Sequence, residues 1–332
     1  MQADLFPSRP ATSIELPEGP VIVCYGAGVD STAMLVAMYR QGLRPDLITF
    51  ADTGGEKPET LEQVGIMSDW LAARGWPRVT VCKYKTTTAP YSDLEGNNTA
   101  NETLPSLAFG RKSCSIKWKQ QPQDFVVKGC KSGPNQCDPH PLWIEAQAAG
   151  VMPVKLIGYD AGPADLRRSK RLKECDDSFR YCYPLQQLGW TREDCIDAIL
   201  DAGLAVPIKS ACWFCPASQK WELYYLAGRH PELFERALEL EHIAMTGKHS
   251  RWGSDVCTYG KDWEEFVNKP ADQWPTTSIT VGLGRTFAWN HWARVNRITN
   301  SEGRVIMPPA ELLAKAEQLK GQGGNAADRR TC

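Results

Sequence analysis

The stretch Val21-Ile-Val-Cys-Tyr-Gly-Ala-Gly-Val-Asp-Ser-Thr-Ala-Met-Leu35 constrains the fold more than any other part of the chain. Its apolar, β-branched opening reads as a buried strand. A glycine turn follows, and a helix opens at Asp30-Ser31-Thr32. The first N–H groups of a helix lack intrahelical partners and make a ready anion site. Gly26 and Gly28 would let a phosphate approach closely. No Gly-Lys-Ser/Thr follows, so this is not a Walker-type loop. The alternative is a tight strand-to-helix turn that binds nothing. A second apolar run, Leu47–Ala51, ends in Asp52-Thr53-Gly54, and a helix start lies about six residues beyond. Two strand-end motifs about 25 residues apart fit a doubly wound nucleotide fold, in which ligands sit at the carboxyl ends of parallel strands.

The rest of the chain supports an α/β class with a mainly parallel sheet. Strand-like runs occur at Val21–Tyr25, Leu47–Ala51, Val79–Tyr84 and Val154–Tyr159, with helical runs at Ser31–Tyr39 and Thr60–Arg74. Residues 1–19 are polar and proline-bearing and read as a loose leader. Residues 20–205 form the expected nucleotide-binding domain. Residues 85–110, rich in Thr, Asn and Gly, read as a long mobile loop of the kind that covers active sites. Residues 130–141 read as an insertion, and its Cys130, Cys137 and His140 are three zinc-type donors at an unusual spacing. A capped helix is expected over Thr191–Gly203, and a helical pair over Ser218–Gly228 and Pro231–Met245. Residues 206–245 would form a helical Cys-x-x-Cys module. Residues 246–332 would form an extension with one amphipathic helix at Pro309–Lys320 and a flexible tail ending in Cys332.

Bulk properties narrow the function classes. A net charge of −1 gives no global nucleic-acid signal, so any such binding needs a local patch. No run of eighteen apolar residues exists and the N-terminus lacks a signal pattern, so a cytoplasmic protein without a membrane span is expected. Twelve cysteines in a reducing compartment point to core residues, metal ligands or redox groups rather than structural disulfides.

The loop Tyr25-Gly26-Ala27-Gly28-Val29-Asp30-Ser31 resembles the pyrophosphate loop (PP-loop) of the ATP pyrophosphatases, Ser-Gly-Gly-x-Asp-Ser, with Tyr25 for the first serine and Ala27 for the middle glycine. Asp52-Thr-Gly-Gly-Glu-Lys-Pro-Glu-Thr60 is similar to the Asp-Thr-Gly-x-x-x-Pro-Glu-Thr signature of the PAPS reductase branch. Further segments follow in family order. Arg111–Pro122 is similar to Cys-Cys-x-x-x-Lys-x-x-Pro, with Cys114-Ser115 at the cysteine pair and Lys119 at the lysine. Gly158–Arg171 stands at the Gly-x-Arg segment, with Asp160 at the usual arginine. Tyr183–Asp194 resembles the Pro-Leu-x-x-Trp turn, and Cys212-Trp-Phe-Cys-Pro216 the late Cys-x-x-Cys-Pro module.

This resemblance, to the PAPS reductase and ATP pyrophosphatase superfamily over about residues 20–245, implies ATP and Mg²⁺ as ligands. It places Gly26, Gly28, Asp30, Ser31 and Thr32 around the pyrophosphate, and Asp52 and Thr53 near the adenosine or the metal. Lys117, Lys119 and Arg171 become candidate phosphate partners, the alternative for each being a solvated surface charge. It also implies a thiolate-held cluster, 4Fe-4S or with zinc as the competing metal. Cys114, Cys212 and Cys215 carry over as ligands, Cys195 is the first choice for the fourth, and Cys182 and Cys257 are reserves. Cys195 fits equally well as a small core residue beside Ile199 and Ala202.

Three functions compete on this reading. The first is an enzyme that adenylates an acceptor, a nucleic acid or nucleoside, with release of pyrophosphate, for sulfur insertion or another modification, with a sulfur donor or complex partner. The second is a sulfonucleotide reductase, opposed by Asp30-Ser31 and by the lack of a late Glu-Cys-Gly-x-His motif. The third is an ATP-binding subunit of a defence or modification complex. The sequence names neither the acceptor nor the oligomeric state. The pair Trp289 and Trp292 is expected to serve packing rather than base stacking.

Overall fold

Five short strands form, the first four on the apolar runs: β1 (Val21–Cys24), β2 (Leu47–Asp52), β3 (Val79–Lys83), β4 (Val154–Ile157) and β5 (Arg180–Cys182). In the computed structural model, which describes residues 13–86, 89–172, 174–247, 282–285 and 287–322, they make one all-parallel sheet in the order β3-β2-β1-β4-β5. The first four lie where the sequence places them, with ends shifted by at most two residues. The fifth has three residues, too few to show a period.

The chain divides into two compact units, the first holding Met1–Asp52, Glu56–Tyr84 and Lys119–Ser210. Its helices are α1 (Val29–Arg40), α2 (Pro58–Ala72), α5 (Gln121–Lys128), α6 (Pro141–Ala149), α7 (Pro163–Ser169), α8 (Pro184–Gln187) and α9 (Arg192–Asp201). Side chains alternate across β1 and so reach two cores. Val21 and Val23 join Met34, Leu35 and Met38 of α1, Met67 and Leu71 of α2, and Ala198 and Ile199 of α9. Ile22 joins Val127 of α5, Leu142 of α6 and Phe179 in a second core. Helices therefore cover both faces, the arrangement that an all-parallel sheet requires. α1 is buried almost throughout because it lies over the centre of the sheet. Each of its buried Met and Leu side chains contributes about 1.5–3 kcal/mol of transfer free energy. Lys155 on β4 is buried on the opposite face from α1, where it ion-pairs with Asp124 and lies over the Phe179 ring.

The second unit gathers Thr53–Gly55, Lys85–Trp118 and Ala211–Cys332. It takes in residues 211–245 of the expected 206–245 module and the described part of the extension, and adds residues 85–118, while residues 206–210 belong to the first unit. It holds α3 (Leu94–Ala100), α4 (Ser113–Ser115), α10 (Lys220–Arg229), α11 (Pro231–Thr246), and, further along, α12 (Trp289–Val295) and α13 (Pro309–Gln322). The segment 85–110, expected as a loop, contains α3 and a 3-10 turn at Ser106–Phe109. Asp93 makes the difference: its carboxylate accepts the Gly96 N–H at 2.8 Å and caps α3 in a segment whose Asn and Thr content hides a helix. α10 packs on α13, where Gly228 faces Leu312 and Leu313.

Glu241 of α11 is fully buried. Its carboxylate accepts the N–H groups of Leu283, Trp289 and Asn290 and the Asn290 side-chain amide, which ties the start of α12 to α11. Trp289 is buried and stacks on Phe234 at 6.3 Å, so it serves packing as expected. Among the described residues, no helix is long and apolar enough to cross a membrane. Cys257, Cys332, most of the leader and the tail lie outside the described residues.

Candidate functional site

The loop after β1 is built to hold a helix start open. Tyr25 is buried and its hydroxyl meets Thr32 Oγ1 at 3.1 Å, which pins the strand end to α1, and burial raises its phenol to about 12. Ala27 has φ of 56°, the left-handed region that normally belongs to glycine. Ser31 Oγ accepts the Gly26 N–H at 3.2 Å and donates to the Gly28 carbonyl at 3.3 Å, closing the loop on itself. Gly28 is the N-cap of α1 and has no side chain to offer, so no side chain of the cap occupies the first N–H groups. Two close approaches need glycine. A Cβ on Gly158 would stand 2.8 Å from the Ser31 backbone, and one on Gly28 would stand 2.9 Å from Ser210 Oγ. Gly26, Gly28, Asp30, Ser31 and Thr32 thus all belong to the turn between β1 and α1 and to the first turn of α1.

Strand order adds what the sequence could not show. The order in which the chain adds strands reverses between β1 and β4, and such switch points form a crevice at the carboxyl ends of the strands. The chain leaving β4 brings Asp160 and, in the first turn of α7, Asp165 to Asp30. One carboxylate oxygen from each of the three lies within 4.8 Å of the others. Two arginines face the trio. Arg192, at the start of α9, reaches Asp30 Oδ1 at 2.9 Å and Asp160 Oδ2 at 3.8 Å, and Arg168 reaches Asp165 at 2.7 Å. Burial raises the Asp30 carboxyl to about 6, with Arg192 opposing and Asp160 and Asp165 adding to the rise. Burial raises Asp165 as well. Arg192 is aimed by a capped turn: the Asp194 carboxylate accepts the Thr191 N–H at 2.7 Å and its hydroxyl at 2.8 Å. Beside the trio, Tyr159 and Tyr183 stack at 5.8 Å and 8°.

No family model matches the chain, and no curated protein is significantly similar to it. The reading of the site therefore rests on its own geometry.

The remaining candidates are more dispersed. Asp52 ends β2 and meets Lys83 Nζ at 3.5 Å. Lys119 belongs to the first unit and pairs with buried Glu56 at 3.0 Å, whereas Lys117 belongs to the second and lies 5.2 Å from the Trp118 ring centre. Arg171 is exposed just past α7. Sequence reasoning missed Asp165, Arg168 and Arg192 as site residues, and treated Asp160 only as a departure from the family pattern. It also missed Lys57, buried at the N-cap of α2 with its Nζ 3.4 Å from the Lys209 carbonyl. The available signal for Asp160 was its position just beyond a strand end, where ligand-binding groups collect.

The cysteines separate by unit. Cys195 is fully buried in the first unit's core with Ala198, Ile199 and Leu204, and burial raises its thiol. That environment suits a neutral thiol, the core role rather than a metal thiolate. Cys182 is also buried, with its thiol raised to about 11. Cys114, Cys212 and Cys215 all lie in the second unit. The Cys215 N–H donates to the Cys212 carbonyl at 3.1 Å, so Cys212–Cys215 is a tight turn, and Cys212 Sγ meets the Thr53 hydroxyl at 3.3 Å. Thr53 thereby contacts a cysteine of the second unit. Among the described residues, no three cysteine sulfurs lie within 4.8 Å of one another. Tetrahedral zinc thiolates at about 2.3 Å from the metal would stand closer than that.

Proposed function

We propose that the protein is an ATP pyrophosphatase-type enzyme that transfers AMP to an acceptor and releases pyrophosphate. The observation that carries this reading is the conjunction at one switch point of an uncapped helix N-terminus and three converging carboxylates. The first suits the phosphates of a nucleotide, and the second suits a hard divalent cation. Oxygen donors of this kind fit Mg²⁺, with Asp30, Asp160 and Asp165 as the residues to hold it. When bound, Mg²⁺ neutralises charge that develops on the leaving phosphates. Gly26, Gly28, Ser31 and Thr32 would hold the phosphate chain on backbone amides. An acceptor oxygen attacks the α-phosphorus, the bond between the α-phosphorus and the bridging oxygen breaks, and pyrophosphate leaves with the electron pair. Arg192 and Arg168 already stand at the carboxylates, where they can turn to phosphate once a cation replaces them.

The acceptor class that fits the resemblance is a nucleic acid or nucleoside, modified for sulfur insertion with the help of a sulfur donor. The Cys212–Cys215 turn, together with Cys114, is a soft donor set for a 4Fe-4S cluster in the second unit.

The experiment is nucleotide binding and pyrophosphate release by the full chain, with and without Mg²⁺. Mg²⁺-dependent ATP binding is expected. Asp30→Ala should lower pyrophosphate release by more than about tenfold, about 1.4 kcal/mol in the barrier. Unchanged release by a folded Asp30→Ala protein would remove the assignment. Tight ATP binding without release would favour an ATP-sensing subunit, and thioredoxin-dependent reduction of a sulfonucleotide would favour a reductase.

A further inference from the structure

The segment between α5 and α6 forms a small hairpin that the nucleotide site does not use. Cys130 and Cys137 face each other across it as an antiparallel pair. The Cys130 N–H donates to the Cys137 carbonyl at 2.9 Å, and the Cys137 N–H donates back to the Cys130 carbonyl at 3.1 Å. A residue pair that exchanges both bonds has its Cα atoms about 5.5 Å apart, and its side chains project from the same face. That separation lies inside the roughly 4.4–6.8 Å range of disulfides.

The hairpin is held at both ends, so the pairing is not an accident of a loose loop. At its base, the His140 N–H donates to the Val127 carbonyl at 3.0 Å. There Gly129 has φ of +77°, and a Cβ on it would stand 2.7 Å from the Pro139 nitrogen, so the arms approach as closely as backbone allows. At the tip, the Gln136 N–H donates to the Gly133 carbonyl at 3.1 Å. His140 does not complete a metal set with the two thiols, since its Nδ1 accepts the Leu142 N–H at 3.3 Å and caps α6. The two sulfurs are not joined, and each rests on a carbonyl at 3.3 Å, Cys130 on Ser132 and Cys137 on Phe125. Rotation about χ1 from one staggered well to another turns such a pair toward each other without moving the backbone.

We propose that Cys130 and Cys137 are a reversible dithiol–disulfide site that exchanges with low-molecular-weight disulfides. Cys137 is exposed and Cys130 half-buried, so Cys137 is the entry thiol and Cys130 the resolving one. The Cys137 thiolate attacks one sulfur of the small disulfide. A mixed disulfide forms and the first small thiol leaves. The Cys130 thiolate then attacks the Cys137 sulfur, the Cys130–Cys137 bond forms, and the second small thiol leaves. Two protein thiols are oxidised and one disulfide is reduced to two thiols, with each departing thiolate taking up a proton given up by a cysteine.

The test uses the full chain with oxidised glutathione, followed by trypsin without reduction and mass spectrometry. Lys128, Lys131 and Lys155 place the two cysteines on separate peptides, 129–131 and 132–155. The expected result is a joined peptide pair that dithiothreitol separates, with no lasting glutathione on Cys137. In Cys130→Ser, glutathione should remain on Cys137, as it should on exposed Cys175 in both proteins. If wild-type Cys137 retains glutathione to the same extent as Cys175, or if peptide 129–131 stays a free thiol, the proposal fails. The wild-type measurement stands without any variant, and neither arm depends on ATP chemistry.

Discussion

Replacing Arg192 by Met tests the electrostatics of the acid trio directly. Methionine keeps most of the stem and removes the charge that faces Asp30 at 2.9 Å and Asp160 at 3.8 Å. Two unit charges about 4 Å apart interact by about 4 kcal/mol at an effective dielectric of about 20. The Arg192 side chain is 47% exposed, and solvent screening reduces this to about 1–2 kcal/mol, or about one pKa unit on Asp30. The Asp30 carboxyl, already at about 6, should then titrate near about 7. A carboxyl raised in the folded state favours folding when protonated. Its contribution is therefore complete below the unfolded value near about 4 and is lost as pH rises through the folded value. At pH 5 both proteins hold Asp30 largely protonated, and the part of the charge effect that acts through Asp30 is close to zero. At pH 8 it should reach about 1 kcal/mol by linkage. Urea denaturation of both proteins at the two pH values measures the difference of differences, which cancels the titration of groups the substitution does not touch. An equal cost at pH 5 and pH 8, or a larger cost at pH 5, would refute the coupling between Arg192 and Asp30.

Ala27 carries a glycine conformation, so Ala27→Gly should change stability by no more than about 1 kcal/mol, while the β-branched Ala27→Val should cost about 2 kcal/mol or more; equal melting temperatures for the two variants would contradict the positive φ. Glu241→Ala strands three backbone N–H donors, those of Leu283, Trp289 and Asn290, and should destabilise the second unit by about 3–5 kcal/mol in chemical denaturation, with a loss under about 1 kcal/mol counting against the carboxylate as its organiser. Iron and sulfide analysis after anaerobic purification should find a cluster that Cys212→Ser and Cys215→Ser lose and Cys195→Ala keeps; retention of full iron by Cys212→Ser would exclude that turn as its anchor.

Four strands, the opening helices and the glycine turn after β1 were legible in the chain because each is written in local order. Short continuous apolar runs mark strands buried on both faces, and glycine at a strand end followed by Asp-Ser-Thr fixes where a helix starts. Even the departure at Ala27 was visible, although its left-handed backbone was not. What the sequence could not state is which elements become neighbours. Asp30, Asp160, Asp165 and Arg192 are far apart in the chain, and only the placement of β4 beside β1 gathers them. That adjacency is settled by the sum of packing over both faces of the sheet, not by any residue near the site. The same holds for Cys195. Its position in a capped helix could be read, but the rotation of that helix, which α1 and the core beneath it decide, turns the thiol inward. Local chemistry determined what the loop can hold, and long-range packing decided which charges surround it.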